Sequence, residues 1–133
     1  MRYTAFIHKD PDSDYGVSFP DVPGCVAVGE TVEAALNSAA EALAFHIEGI
    51  EKDGDPIPSP RSMDEIVADP AFAEDMKGAV LASVALVRDL GSTTRINVSL
   101  DLGLLGAIDS EAKRRKQTRS AFIASAVRKE LAA

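Results

Sequence analysis

Residues 94–100 constrain the fold more than any other segment, because polar and apolar side chains alternate through them without a break. Such alternation predicts a β-strand with one apolar face. Two helical patterns follow, and no other run in this C-terminal third of the sequence can pair with the strand. A lone amphipathic strand cannot bury its apolar face. We therefore expect it to pair with the same strand of a second copy of the chain.

A two-stranded antiparallel ribbon of this kind has the right size to enter the major groove of DNA. The alternation places Arg95, Asn97 and Ser99 on the outward face, and Ile96, Val98 and Leu100 toward the helices. Arginine suits guanine, asparagine suits adenine and serine is permissive. The simpler interpretation is that these three polar side chains form only the solvent-facing side of a dimerisation ribbon.

The charge of the chain changes sign at the same place. From Gly91 onward there are eight Lys/Arg and four Asp/Glu, whereas the preceding ninety residues hold six Lys/Arg and seventeen Asp/Glu. The local balances are therefore +4 and −11. A dimer brings two basic segments together, which favours salt-sensitive phosphate binding. An ordinary solvated basic surface is the alternative interpretation.

Length and cysteine content narrow the protein class. The chain has 133 residues, enough for one small domain with an appendage or for two modest domains. Its one cysteine, Cys25, cannot form an intrachain disulfide, which fits a reducing cytoplasm. Residues 1–5 contain no apolar signal region, and the longest apolar run, 79–87, is too short to cross a bilayer. We therefore expect a cytoplasmic protein.

The first ninety residues follow a β-β-β-α-β pattern. Strands are predicted at 2–9, 15–19 and 25–28, a helix from its N-cap Thr31 to about Lys52, two short helical turns within 62–77, and a strand at 79–87. Short turns between the first three strands predict an antiparallel meander. The last strand is so apolar that we expect it to be central and buried on both faces. The small polar residues 91–93 mark the predicted boundary between domains 1–90 and 91–133.

Two capped helices are predicted in the C-terminal domain. Asp101 is the N-cap of the first, and Thr118 is the N-cap of the second. Positive charges at 113–116 suit the C-terminus of the first helix. Gly103 and Gly106 lie inside that helix and weaken it by about 1 kcal/mol each. About forty residues are too few for a stable core, which again favours an intertwined dimer.

The strand, the capped helix, the basic turn and the Thr118-Arg119-Ser120 start of the second helix resemble the ribbon-helix-helix DNA-binding domains, from Arg95 to about Leu131. The segments 15–25 and 29–36 resemble the HicB antitoxins. The two resemblances imply an α+β chain. A partial RNase H-like β-β-β-α-β domain would precede a ribbon-helix-helix (β-α-α) domain for dimerisation and DNA binding.

The resemblance to HicB antitoxins also implies a function. Members of that family bind and inhibit HicA, an mRNA-cleaving ribonuclease toxin, and repress their own operon through the C-terminal domain. The expected partners are therefore a HicA-like toxin, a palindromic operator read in the major groove, and a second copy of the chain in a dimer or a tetramer. Neither enzymatic activity nor a cofactor is implied.

The resemblance assigns residue roles in DNA binding. Arg95, Asn97 and Ser99 match the base-reading positions of the ribbon. Thr118, Arg119 and Ser120 match the first turn of the second helix, where backbone N–H groups and the helix dipole hold a phosphate. The turn before Thr118 commonly contains glycine in this family, but here it is Lys116-Gln117. The geometry of that turn is left open by the sequence.

The toxin-binding surface is marked less clearly. An RNA-cutting toxin has a basic surface, which an acidic module complements. Phe45 lies opposite the apolar stripe of its helix, among Glu41, Glu48 and Lys52, and is a candidate interface anchor. The alternative is that the 62–77 segment folds over it.

Other functions fit the sequence less well. Asp10, Asp12, Asp14 and Asp21 match part of a calcium-loop template, but its obligatory glycine is replaced by Tyr15. The strand centres carry few carboxylates for a metal-dependent nuclease. A ribbon-helix-helix regulator whose N-terminal module binds a small ligand, or only oligomerises, is the remaining alternative.

Overall fold

The computed structural model describes residues 1–88 and 90–132, the last of these by its backbone alone. The chain divides into two compact units, Met1–Arg88 and residues 90–131. The first unit contains a four-stranded antiparallel sheet and two helices, and the second contains two further helices. No helix among the described residues is long and apolar enough to cross a membrane.

The first three strands form the predicted meander. They are β1 (Arg2–Lys9), β2 (Tyr15–Ser18) and β3 (Val26–Gly29). β1 pairs with β2 so that Phe6 faces Ser18, and β2 pairs with β3 so that Gly16 faces Val28. The tight turn at residues 10–13 explains the register, because the Ser13 N–H donates to the Asp10 carbonyl over 3.1 Å.

The fourth strand, β4 (Val80–Ala85), occupies an edge of the sheet rather than its centre. The strand order is β3-β2-β1-β4, with β4 antiparallel to β1. The prediction of a central strand buried on both faces is therefore wrong. Val84 is buried, but Val80 is 65% exposed. An apolar run identifies a strand, but its position in the sheet depends on which neighbour it pairs with.

A long helix, α1 (Val32–Lys52), covers one face of the sheet. It begins as predicted at Thr31, whose side chain accepts a hydrogen bond from the Ala34 N–H over 3.0 Å. Its buried stripe consists of Ala35, Ala39, Leu43 and Ile47, and lies in one apolar core with alternate β1 residues, among them Tyr3 and Ala5. Gly29 permits this close packing, because a Cβ there would lie 2.3 Å from the Ala35 nitrogen.

The opposite face of the sheet is covered by the segment that follows α1. It contains α2 (Met63–Ala68), which begins with a capping box between Ser62 and Glu65, and a single 3-10 turn at Pro70–Phe72. The ring of Phe72 packs edge-on against that of Phe6, with 6.2 Å between centroids. The two predicted helical turns are thus confirmed, as α2 and the 3-10 turn.

The second unit contains α3 (Leu102–Arg114) and α4 (Arg119–Ala132). Both predicted N-caps are confirmed. The Leu104 N–H donates to the Asp101 carboxylate over 2.9 Å, and the Ala121 N–H donates to the Thr118 hydroxyl over 3.1 Å. Residues 94–100 form no hydrogen-bonded strand with any other described part of the chain. The predicted ribbon requires a second copy, so it stays a prediction.

Candidate nucleic-acid interface and partner-binding surface

Residues 94–100 leave an apolar row uncovered in the isolated chain. Ile96 is 74% exposed and Val98 is 66% exposed, while Leu100 is 38% exposed. The predicted base-reading residues Arg95, Asn97 and Ser99 are exposed as well. Single exposed aliphatic side chains are common, but a row spaced at every second residue is not. The alternating apolar side chains are thus uncovered in the isolated chain, and their pairing with a second copy stays a prediction.

The turn between the two helices closes without glycine. Lys116 adopts a left-handed backbone conformation with φ of 55°, the place where glycine is usual. The Gln117 N–H donates to the Ala112 carbonyl over 2.8 Å, and the Lys116 N–H donates to the Lys113 carbonyl over 3.1 Å. Together these two bonds form a Schellman motif, which ends α3. The turn before Thr118 therefore closes without glycine, and the backbone of Lys116 carries the strain of the left-handed conformation.

Arg119 links the two helices of this unit. Its guanidinium donates two hydrogen bonds of 2.8 Å to the two carboxylate oxygens of Asp109 on α3. These bonds lower the pKa of the Asp109 carboxyl below its ordinary value. The Arg119 side chain is therefore engaged within its own unit, and a phosphate at the start of α4 would meet backbone N–H groups instead. Sequence analysis did not identify this pair, because its partners lie ten residues apart on different helices.

Glu111 forms ion pairs with two basic side chains at the end of α3, Arg114 and Arg115. It accepts hydrogen bonds from the guanidinium groups of Arg114 and Arg115, and these bonds lower the pKa of its carboxyl to about 2. The guanidinium of Arg115 also lies over the ring of Phe122, 5.4 Å from the ring centroid. Lys113 and Lys116 take part in no ion pair with a described residue. Arg114, Arg115 and Arg119 are thus all engaged by carboxylates of their own unit.

Phe45 is 79% exposed on the outer side of α1. The alternative interpretation, in which the 62–77 segment folds over it, is therefore wrong: that segment packs on the opposite face of the sheet, against Phe6. Near Phe45, Lys52 pairs with Glu48 over 2.8 Å, while Glu41 is exposed. An uncovered aromatic side chain among carboxylates keeps the geometry of an interface anchor for a basic protein.

Arg61 organises the polar contacts of the first unit, and sequence analysis missed it. Its Nε and its backbone N–H each donate to the Asp21 carboxylate over 2.7 Å, and its Nη1 donates to Asp69 over 3.0 Å. The guanidinium also lies 5.2 Å from the centroid of the Phe72 ring. The Ala71 N–H and Arg61 together lower the pKa of the Asp69 carboxyl. Arg61 thus fastens the segment after α1 to the turn between β2 and β3.

Comparisons with known proteins agree on one family. The family model described as "HicB_like antitoxin of bacterial toxin-antitoxin system" matches residues 3–127. An uncharacterised 14.9 kDa protein from the rep-hol intergenic region of Haemophilus phage HP1 is 34% identical over 109 residues, covering 82% of this chain and 80% of that protein.

Two solved structures are also similar. The crystal structure of the Burkholderia pseudomallei antitoxin HicB has a TM-score of 0.56 and 36% identity, and the match covers 96% of each chain. A HicA3 and HicB3 toxin-antitoxin complex contains a chain with a TM-score of 0.54 and 34% identity, covering 65% of this chain and 99% of that chain. The mixed α+β architecture described above therefore matches that of solved antitoxins.

Proposed function

Because the chain belongs to the HicB-like family of antitoxins from bacterial toxin-antitoxin systems, we propose that it neutralises a HicA-like, mRNA-cleaving ribonuclease and represses its own operon. An antitoxin has a regulatory and non-enzymatic role, as the sequence predicted. The observation that carries the proposal is the extent of the family match, since residues 3–127 span most of both compact units. The cytoplasm, where mRNA and operator DNA meet, is the proposed location.

The first unit is the proposed toxin-binding module, with a partial RNase H-like fold. Residues 1–88 carry six Lys/Arg and sixteen Asp/Glu, a net charge of −10 that complements the basic surface of an RNA-binding enzyme. The similar chain in the HicA3 and HicB3 complex covers 65% of this chain, about the length of the first unit. Both facts support a toxin contact made by this unit.

Co-expression with the product of the neighbouring gene tests this half of the proposal. We expect a small basic ribonuclease to co-purify with the chain and to lose its mRNA-cleaving activity in the complex. Phe45→Ala should weaken the complex about tenfold or more if Phe45 is an anchor. The control Val67→Ala, at a position 53% exposed on α2, should not. Cleavage that continues in the presence of excess antitoxin contradicts the proposal.

The second unit is the proposed ribbon-helix-helix module. Pairing of two copies through residues 94–100 would cover the exposed Ile96 and Val98 and would align Arg95, Asn97 and Ser99 for base contacts. Thr118 caps α4, and the backbone N–H groups of Arg119 and Ser120 at the helix start would bind a phosphate. The uncovered apolar row is the observation that supports this half.

Electrophoretic mobility shift with the DNA upstream of the operon tests the base contacts. Arg95→Ala together with Asn97→Ala should weaken specific binding by about 100-fold or more, since each bidentate base contact contributes about 1–3 kcal/mol. Arg128→Ala is the control, because it removes one charge of the same unit but no predicted base contact. Sequence-specific binding by the double variant contradicts the assignment, and toxin inhibition should remain in both variants.

A further inference from the structure

The two edge strands of the sheet differ in how they are protected against pairing with a further strand. β3 lies at one end of the strand order, and no other described strand pairs with its outer side. Val26 and Val28 are each 66% exposed, and the strand contains no charged residue. On the other edge strand, β4, the Arg2 guanidinium donates to the hydroxyl and the carbonyl of Ser83. Charged side chains are a common protection against strand addition, and β3 has none.

A cleft of about 290 Å³ lies directly beside β3, with Val26 in its wall. Its other walls are largely apolar and include Phe19 and Phe72, and Asp75 is the one carboxylate that lines it. Lysine and arginine side chains combine an apolar stem with a charged end. The cleft therefore offers apolar walls for such a stem and a carboxylate for its charge.

Charges at the other end of β3 have the same sign. Tyr15 pairs with Gly29, so the next residues outward, Asp14 and Glu30, both follow the end of this strand pair, and both are exposed. Together with Asp75 they place acidic side chains at both ends of an apolar edge. A second copy of this unit carries a net charge of −10 over its residues 1–88, which disfavours its approach to these carboxylates. A basic occupant is favoured for this reason.

We propose that β3 and the adjoining cleft receive an extended segment of a basic protein by strand addition. Backbone hydrogen bonds would form along the outer side of Val26–Gly29, Val26 and Val28 would become covered, and one basic side chain of the partner would enter the cleft toward Asp75. The inference rests on the proposed function, because the basic partner is the ribonuclease toxin. It adds the mode of contact, and it concerns a surface separate from Phe45.

Isothermal titration of the full-length chain with the ribonuclease encoded beside it tests the proposal. Val26→Thr with Val28→Thr should weaken binding about tenfold or more, because each hydroxyl would be buried against the added strand. Val80→Thr is the matched control, since Val80 is 65% exposed on the opposite edge strand; it should change the affinity less than twofold. Threonine keeps the β-branched shape, so the sheet should remain folded.

Amide hydrogen exchange provides the second readout. Addition of the toxin should slow exchange of outward-facing amides in Val26–Gly29, whereas the amides of β4 should be unaffected. Equal binding by the double variant and the unaltered chain, or unchanged exchange in β3, overturns strand addition while leaving the proposed function intact. Absence of toxin binding by the unaltered chain refutes both. A lower mass by light scattering for the double variant, with toxin affinity unchanged, would assign the edge to a second copy instead.

Discussion

Replacement of Arg61 tests the physical account of the first unit most directly. Arg61 joins the turn between β2 and β3 to the segment after α1, through Asp21, Asp69 and the ring of Phe72. The side chain of Asp21 is only 6% exposed, so Arg61→Ala leaves a buried carboxylate without its cation. The backbone N–H of residue 61 still donates to that carboxylate, which limits the loss.

The expected loss of unfolding free energy follows from these contacts. A buried charge that loses its partner typically costs about 3–5 kcal/mol, but Arg61 itself is 39% exposed and the backbone hydrogen bond remains. We therefore expect a loss of about 2 kcal/mol, including roughly 0.5 kcal/mol from the contact with Phe72. With a urea m-value of about 1.5 kcal/mol/M, the unfolding midpoint should fall by about 1.3 M.

Urea unfolding followed by circular dichroism measures this loss, with Lys77→Ala as the control. Lys77 pairs with Glu74 over 2.9 Å, but both side chains are more than 70% exposed, so its loss should cost less than about 0.5 kcal/mol. Adding Asp21→Asn to Arg61→Ala should recover about 1 kcal/mol, because the unpaired charge disappears. A single Arg61→Ala variant that unfolds like the Lys77→Ala control would refute the reasoning.

Two further predictions concern the second unit. Lys116→Gly should raise its unfolding free energy by about 0.5–1 kcal/mol, because glycine relieves the left-handed strain but loses more backbone entropy. Lys113→Gly, inside α3, should instead lower the unfolding free energy by about 1 kcal/mol. If urea unfolding shows that both substitutions change the unfolding free energy in the same direction, the Schellman geometry is contradicted. The pKa of Glu111 is lowered from 4.5 to about 2 in the folded chain, so its stabilising effect is present above pH 4.5 and disappears as the pH falls toward 2. Thermal unfolding over this pH range should show a loss that is smaller in Glu111→Gln; an identical loss would rule out the contribution of Glu111.

The sequence predicted the local elements of the fold well. The bounds of α1 and its N-cap Thr31, the meander of the first three strands, and the caps Asp101 and Thr118 all agree with the structure. These features depend on periodicity, turn composition and hydrogen bonds within a few residues, which the sequence states directly. The resemblance to an antitoxin family was likewise carried by short segments and was confirmed by the family match.

The candidate sites could be predicted only in part. The positions of Arg95, Asn97 and Ser99 follow from alternation, and their base-reading role stays a prediction that needs a second copy and DNA. The engagement of Arg119 with Asp109 could not be foreseen, because Glu111 and Glu130 lie at a similar distance from Arg119 along the chain. The exposure of Phe45 was equally undetermined, since either face of the sheet could have received the 62–77 segment.

The sequence by itself determined which segments are strands and helices, where the helices begin, and how charge is divided between the two units. The tertiary structure alone decided that β4 lies at an edge, that Arg61 joins distant segments, and that β3 remains open beside a largely apolar cleft. The physical reason is the range of the interactions. Caps and periodicities act within one or two turns of chain, whereas strand order and ion pairs depend on which distant surfaces meet when the apolar faces are buried.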